Sequence, residues 1–208
     1  MALITSHIAG ASGLLDRHKG IISAAFEFSA RAAEELLQAE RIDVLFIDSP
    51  DEAIPEMGVG GYTYGPHVII VAIDPTSPNL SEQHLATTLV HEFHHAMRWR
   101  GPGCGGDLGA MLVSEGLAQL FEEEVLGARP MYSQAPITAL EVERAKVELH
   151  QQPFNQSKWF FGAESVTRMF GYTFGYQICK IYAASTGMRA SDLVDVPVLK
   201  VLEAAGFN

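Results

Sequence analysis

Residues 89–97 read LVHEFHHAM, and the periodicity of this stretch decides how the chain is read. Leu89, Val90, Phe93 and Met97 recur at helical spacing and join Ala86 in an apolar stripe. His91 and His95 lie four residues apart, so on a helix they share one face in a polar row with His84, Thr88 and Arg98. Unpaired polar groups are costly to bury, so a core helix with such a row is expected to line a cleft. Two imidazoles on one face can take a single divalent ion. Glu92, beside the first of them, can reach a water on that ion instead of the ion itself. The segment therefore predicts a zinc-bearing helix with His91 and His95 as ligands and Glu92 as general base. His94 faces away by a quarter turn or more and is assigned to packing or ligand support.

Working outward, Ser81 is a good N-cap for a helix reaching about Trp99. A glycine-rich turn follows over residues 101–109, then a helix over 108–126 that Gly127 ends. Glu115, in VSEGLAQLFEEE, stands twenty residues after His95 and is the expected third ligand. Two histidines and a glutamate leave the fourth tetrahedral position open, the catalytic and not the structural arrangement of zinc. Ser114, Gly116 and Ala118 around Glu115 are small enough for two helices to approach closely, whereas Glu122, Glu123 and Glu124 read as a solvated acidic run. An HExxHxxGxxH continuation is excluded, because Arg98 holds the glycine position and Gly101 that of the third histidine. A deformylase-like set needs an upstream cysteine, and Cys104 and Cys179 both lie downstream. A di-iron carboxylate bundle needs a second ExxH, which the chain lacks. A non-catalytic metal-containing peptide-binding module, the remaining alternative beside a zinc hydrolase of non-peptide amides, has no use for Glu92.

The rest of the chain predicts an α+β fold with a small sheet in the N-terminal half and a mainly helical C-terminal half, as one domain over residues 1–208. A helix is expected over 14–40, a strand over 42–48, a loop over 49–61, and a strand pair or one bent strand over 62–74 broken at Gly65-Pro66. Further helices are expected from Pro136 to about His150, over 166–186, and over 191–205, where Pro197 bends or restarts the last. The strand at residues 67–73 is expected to offer an exposed edge to an extended peptide substrate.

Composition sets the outer limits. Of 208 residues, 48% are hydrophobic and 19% charged, enough for a buried core. A net charge of −11 with scattered lysines and arginines argues against nucleic-acid binding. The first twenty residues lack a secretory pattern and the apolar runs are too short to span a bilayer, so a soluble, cytoplasmic protein without membrane partners is expected. Two cysteines without CxxC spacing fit reduced thiols.

HEFHHAMR followed by SEGLA resembles the gluzincin branch of zinc metallopeptidases. It is most similar to the small bacterial family of predicted zinc-dependent proteases labelled as a domain of unknown function. The likeness runs from about Gly61 through GYTFGYQICKIYAASTG at residues 171–187. It implies a zincin-like fold, one Zn2+ per chain on His91, His95 and Glu115, Glu92 as base, and a peptide or protein substrate. The chain departs from many gluzincins at Gln119, where an acid would support a ligand histidine, and Asp107 is the substitute considered. Tyr172 and Tyr176, four apart beside Gly171 and Gly175, are the candidate oxyanion donors, and His150 is a weaker one. Arg98 is assigned to a structural ion pair.

Overall fold

Runs of β-branched residues and one amphipathic pair of helices organise the first part of the chain. The computed structural model describes residues 4–163 and 166–207. Its internal packing divides the chain into two compact units, Met1–Arg100 and Gly101–Asn208.

The first unit runs β1 (Ile4–Ile8), α1 (Lys19–Leu37), β2 (Ile42–Asp48), β3 (Val59–Gly65), β4 (Val68–Ile73) and α2 (Glu82–Arg98). The sheet order is β1-β2-β4-β3, with β1, β2 and β4 parallel and β3 antiparallel to β4. Alternation sets its buried side: Ile42, Val44 and Phe46 of β2 and Ile69, Val71 and Ile73 of β4 are sealed from solvent. Helix α1 packs there edge-on through Phe26 against Phe46, and α1 and α2 pack together, with the Ser29 hydroxyl donating to the Ala86 carbonyl at 3.3 Å.

Strand β2 and the β3–β4 pair match expectation, as do α2 and its cap, the Ser81 hydroxyl accepting from the His84 amide at 3.1 Å. Four corrections arise. The first helix starts only at Lys19, after a 3-10 turn at Asp16–His18. Strand β1 went unassigned because ITSHI has no apolar alternation, and parallel pairing with β2 makes it a strand. Strand β3 begins at Val59, inside the expected loop, since its glycines are there for close approach and not for turning. A Cβ on Gly60 would meet the Glu52 carbonyl at 2.4 Å. Finally, β4 is not an edge: β2 and β3 cover both of its sides, so no peptide can pair with residues 67–73.

The second unit is helical: α3 (Leu108–Leu126), α4 (Ala139–Glu148), α5 (Gln156–Phe161), α6 (Phe170–Thr186) and α7 (Val198–Ala204). Helix α3 has the expected bounds, with Gly127 at φ 70° closing it. Helices α3 and α6 touch through their backbones: a Cβ on Gly116 would stand 2.1 Å from the Gly175 carbonyl oxygen. Pro197 restarts the last helix as its N-cap residue, and α4 begins at Ala139, later than Pro136, because Thr138 and Glu141 form a capping box. Helix α5 had no sequence expectation, and α6 starts at Phe170 and not at 166. Trp159, Phe160, Phe170 and Phe174 fill the core around α6. Among the described residues no helix is long and apolar enough to cross a membrane.

Candidate metal centre

Helix α2 is almost wholly enclosed, which is why its polar row is informative. Glu92, His94, His95 and Arg98 are buried and His91 is half-buried, while Met97, expected in the core, is half-exposed. The one-turn offset on the helix brings the two Nε2 atoms of His91 and His95 to 3.0 Å. The rings meet edge-on, with centroids 4.6 Å apart. Two imidazoles held at 2.0–2.1 Å from one tetrahedral zinc ion have nitrogens about 3.3 Å apart, so this separation suits a shared ion. Glu115, the expected third ligand, lies on α3 in the second unit. Nitrogen and carboxylate oxygen donors in this combination fit zinc.

Glu92 points towards strand β3. The Thr63 hydroxyl donates to Glu92 Oε2 at 2.7 Å and also lies 3.0 Å from the Glu92 carbonyl oxygen. Opposite, Gly61 leaves room for the side chain: a Cβ there would stand 2.6 Å from Glu92 Cγ, 2.7 Å from Thr88 Cγ2 and 2.8 Å from Glu92 Oε1. Neither Thr63 nor Gly61 stood out in the sequence. The available signal was a small residue at every second position of a strand, the side that must lie close to a helix.

The other candidates distribute differently. Gln119 is buried and ties α3 to α6, its amide donating to the Tyr172 carbonyl at 2.8 Å and to the Glu115 carbonyl at 3.3 Å. Asp107 caps α3, accepting from the Ala110 amide at 2.8 Å, and faces His150 across 3.6 Å. Both residues are thereby used in building the second unit. The ring of Tyr172 sits between Tyr132 and Phe160, at centroid distances of 5.6 and 5.1 Å. The Tyr176 hydroxyl donates to Glu123 Oε2 at 2.6 Å and accepts from Lys180 Nζ at 2.7 Å, and Arg129 lies over its ring. Burial, then the Glu123 hydrogen bond, pushes the phenol above its ordinary range. For Glu123, burial opposes ionisation, but the bonds from Tyr176 and Lys180 outweigh it and hold the carboxyl low. The expected solvated run 122–124 is corrected: Glu122 is buried, Glu124 accepts from the Ser191 amide and hydroxyl, and the half-buried Glu123 is the acceptor to which the Tyr176 hydroxyl is committed.

A protein-family model matches residues 22–203, and its description is predicted Zn-dependent protease (DUF2268). No curated protein and no solved structure matches the chain.

Proposed function

From the premise that the chain belongs to this family of predicted Zn-dependent proteases, we propose that it is a peptidase of the gluzincin type, binding one zinc ion through His91, His95 and Glu115. The observation that carries the reading is the 3.0 Å approach of the His91 and His95 Nε2 atoms on one face of α2. A bound zinc ion would supply a Lewis acid that polarises the scissile carbonyl and lowers the pKa of water. Glu92 is the general base: it sits beside His91 on α2, and its carboxylate is held in a buried setting by Thr63. It takes the proton of the attacking water and delivers it to the leaving amine. Tyr172 and Tyr176 are the candidate oxyanion donors in this proposal, and a Tyr176 in that role would have to release Glu123 and Lys180. The substrate is a peptide or protein segment. Its extended backbone would lie along β3 beyond the Ile54–Val59 bridge, where the strand carries the exposed Tyr62 and Tyr64. Two cysteines without CxxC spacing are in keeping with a reducing, cytoplasmic setting, and the net charge of −11 supports a partner list without nucleic acid.

Metal content by mass spectrometry tests the ligand set. About one zinc per wild-type chain, sharply reduced in His95→Ala and Glu115→Ala, is expected. Full zinc occupancy in Glu115→Ala would remove that residue from the set. Glu92→Gln is expected to keep its zinc and lose hydrolysis of fluorescence-quenched peptides.

A further inference from the structure

Glu92 carries two chemically equivalent oxygens on a terminal torsion that is intrinsically broad. A general base works only when one of them is aimed at the reacting proton. Their surroundings differ in this structure. Oε2 accepts from the Thr63 hydroxyl at 2.7 Å, while Oε1 lies on the Gly61 side, 2.8 Å from where a Cβ would be. Thr63 is only 8% exposed, so water competes little for that bond. Gly61 and Thr63 are two apart on β3 and therefore share the face turned to α2.

We propose that Thr63 is a positioning residue for Glu92, holding Oε2 by a hydrogen bond from β3 so that Oε1, over the bare Gly61, is the oxygen that receives the proton. The inference rests on the reading of Glu92 as general base. A charge-assisted bond is stronger than one to a neutral acceptor, so the single Thr63 proton favours the carboxylate over the Glu92 carbonyl at 3.0 Å. When Oε1 gains a proton, Oε2 keeps its acceptor lone pairs and the bond persists. The carboxyl thus stays oriented for the return of that proton. The rival role is purely structural, with Thr63 tying the strand to the helix backbone through the same carbonyl.

The two roles separate when the Glu92 side chain is removed. Four full-length, zinc-saturated proteins are compared by urea unfolding: wild type, Thr63→Val, Glu92→Ala and the double variant. Thr63→Val is expected to lower the midpoint in the wild-type background and leave it unchanged in the Glu92→Ala background. An equal drop in both assigns the hydroxyl to the backbone carbonyl and overturns the proposal. On a library of fluorescence-quenched peptides, Thr63→Val is expected to lower kcat about 10- to 100-fold with KM and zinc content unchanged, because misplacing a reacting group by about an ångström has that effect. Thr63→Ser, which keeps the hydroxyl, restores most of the rate. Unchanged kcat in Thr63→Val beside an inactive Glu92→Gln overturns the positioning role alone. Hydrolysis surviving in Glu92→Gln overturns the base assignment, and the positioning role with it.

Discussion

Lowering the pH should release a specific tether in the helical unit. Glu141 lies in the first turn of α4 and is 5% exposed. Its Oε2 accepts from the Thr138 amide at 2.8 Å and the Thr138 hydroxyl at 2.7 Å, and its Oε1 from the Thr167 amide at 2.6 Å. Burial alone would raise the carboxyl's pKa. The bonds from Thr167 and Thr138 overcome it and bring the value from 4.5 to about 2. A carboxylate depressed in the folded state adds stability that is fully present above its unfolded pKa and is lost as pH falls through the folded one. The window is therefore pH 4.5 down to about 2, and a depression of this size corresponds to about 3 kcal/mol. Urea unfolding of wild type and Glu141→Gln across pH 7 to 3 isolates the effect, because other groups titrate in both proteins and cancel. The wild type should be more stable by about 2–3 kcal/mol at pH 7, since the amide keeps one acceptor but meets the Thr138 donors poorly. The gap should narrow below pH 4.5. A gap that stays flat with pH, or one under about 0.5 kcal/mol at pH 7, would refute the linkage.

Gly116→Ala forces a Cβ to within 2.1 Å of the Gly175 carbonyl oxygen, so α3 and α6 must part. A loss of at least about 1–3 kcal/mol is expected in thermal unfolding, and a wild-type Tm would contradict the backbone contact. Gly61→Ala crowds Glu92 Cγ and Thr88 Cγ2. It should keep its zinc while turnover of quenched peptides falls, so unimpaired turnover would show that the side chain has room to spare. Tyr176→Phe removes the hydroxyl between Glu123 and Lys180. The expected cost is about 1 kcal/mol of stability with kcat intact, and a large fall in kcat in a well-folded variant would return Tyr176 to the site. Dialysis against a chelator should abolish hydrolysis and added zinc restore it. Hydrolysis persisting in fully demetallated protein would remove the metal from the mechanism.

Much of the first unit's outline was legible because local chemistry and tertiary demand agree there. Residues 42–48 are a β-rich run closed by Ser49-Pro50, and α2 has both a capping serine and a helical apolar period. The metal-binding hypothesis was legible for the same reason: i, i+4 geometry belongs to the helix itself, so His91 and His95 pair wherever the helix is packed. Expectation failed where a residue's meaning depends on a distant neighbour. Gly60 and Gly61 looked like loop residues, and only the approach of the Glu52 backbone and the Glu92 side chain makes them strand residues. The same dependence governs Glu123, which a one-dimensional reading puts in water and the folded chain sets between Tyr176 and Lys180.

By itself, then, the sequence determined most of the helices, though not α5, most of the strands and the presence of a His-Glu-His set on one helix, because periodicity and capping act over a few residues. Tertiary structure alone decided that β4 lies inside the sheet and β3 at its edge, since strand order depends on pairing partners that no local pattern encodes. It also decided which hydroxyls are spent. Thr63 turns to Glu92 and Tyr176 to Glu123 because hydrogen-bond partners are chosen by what folding brings within about 3 Å, a distance no sequence spacing predicts.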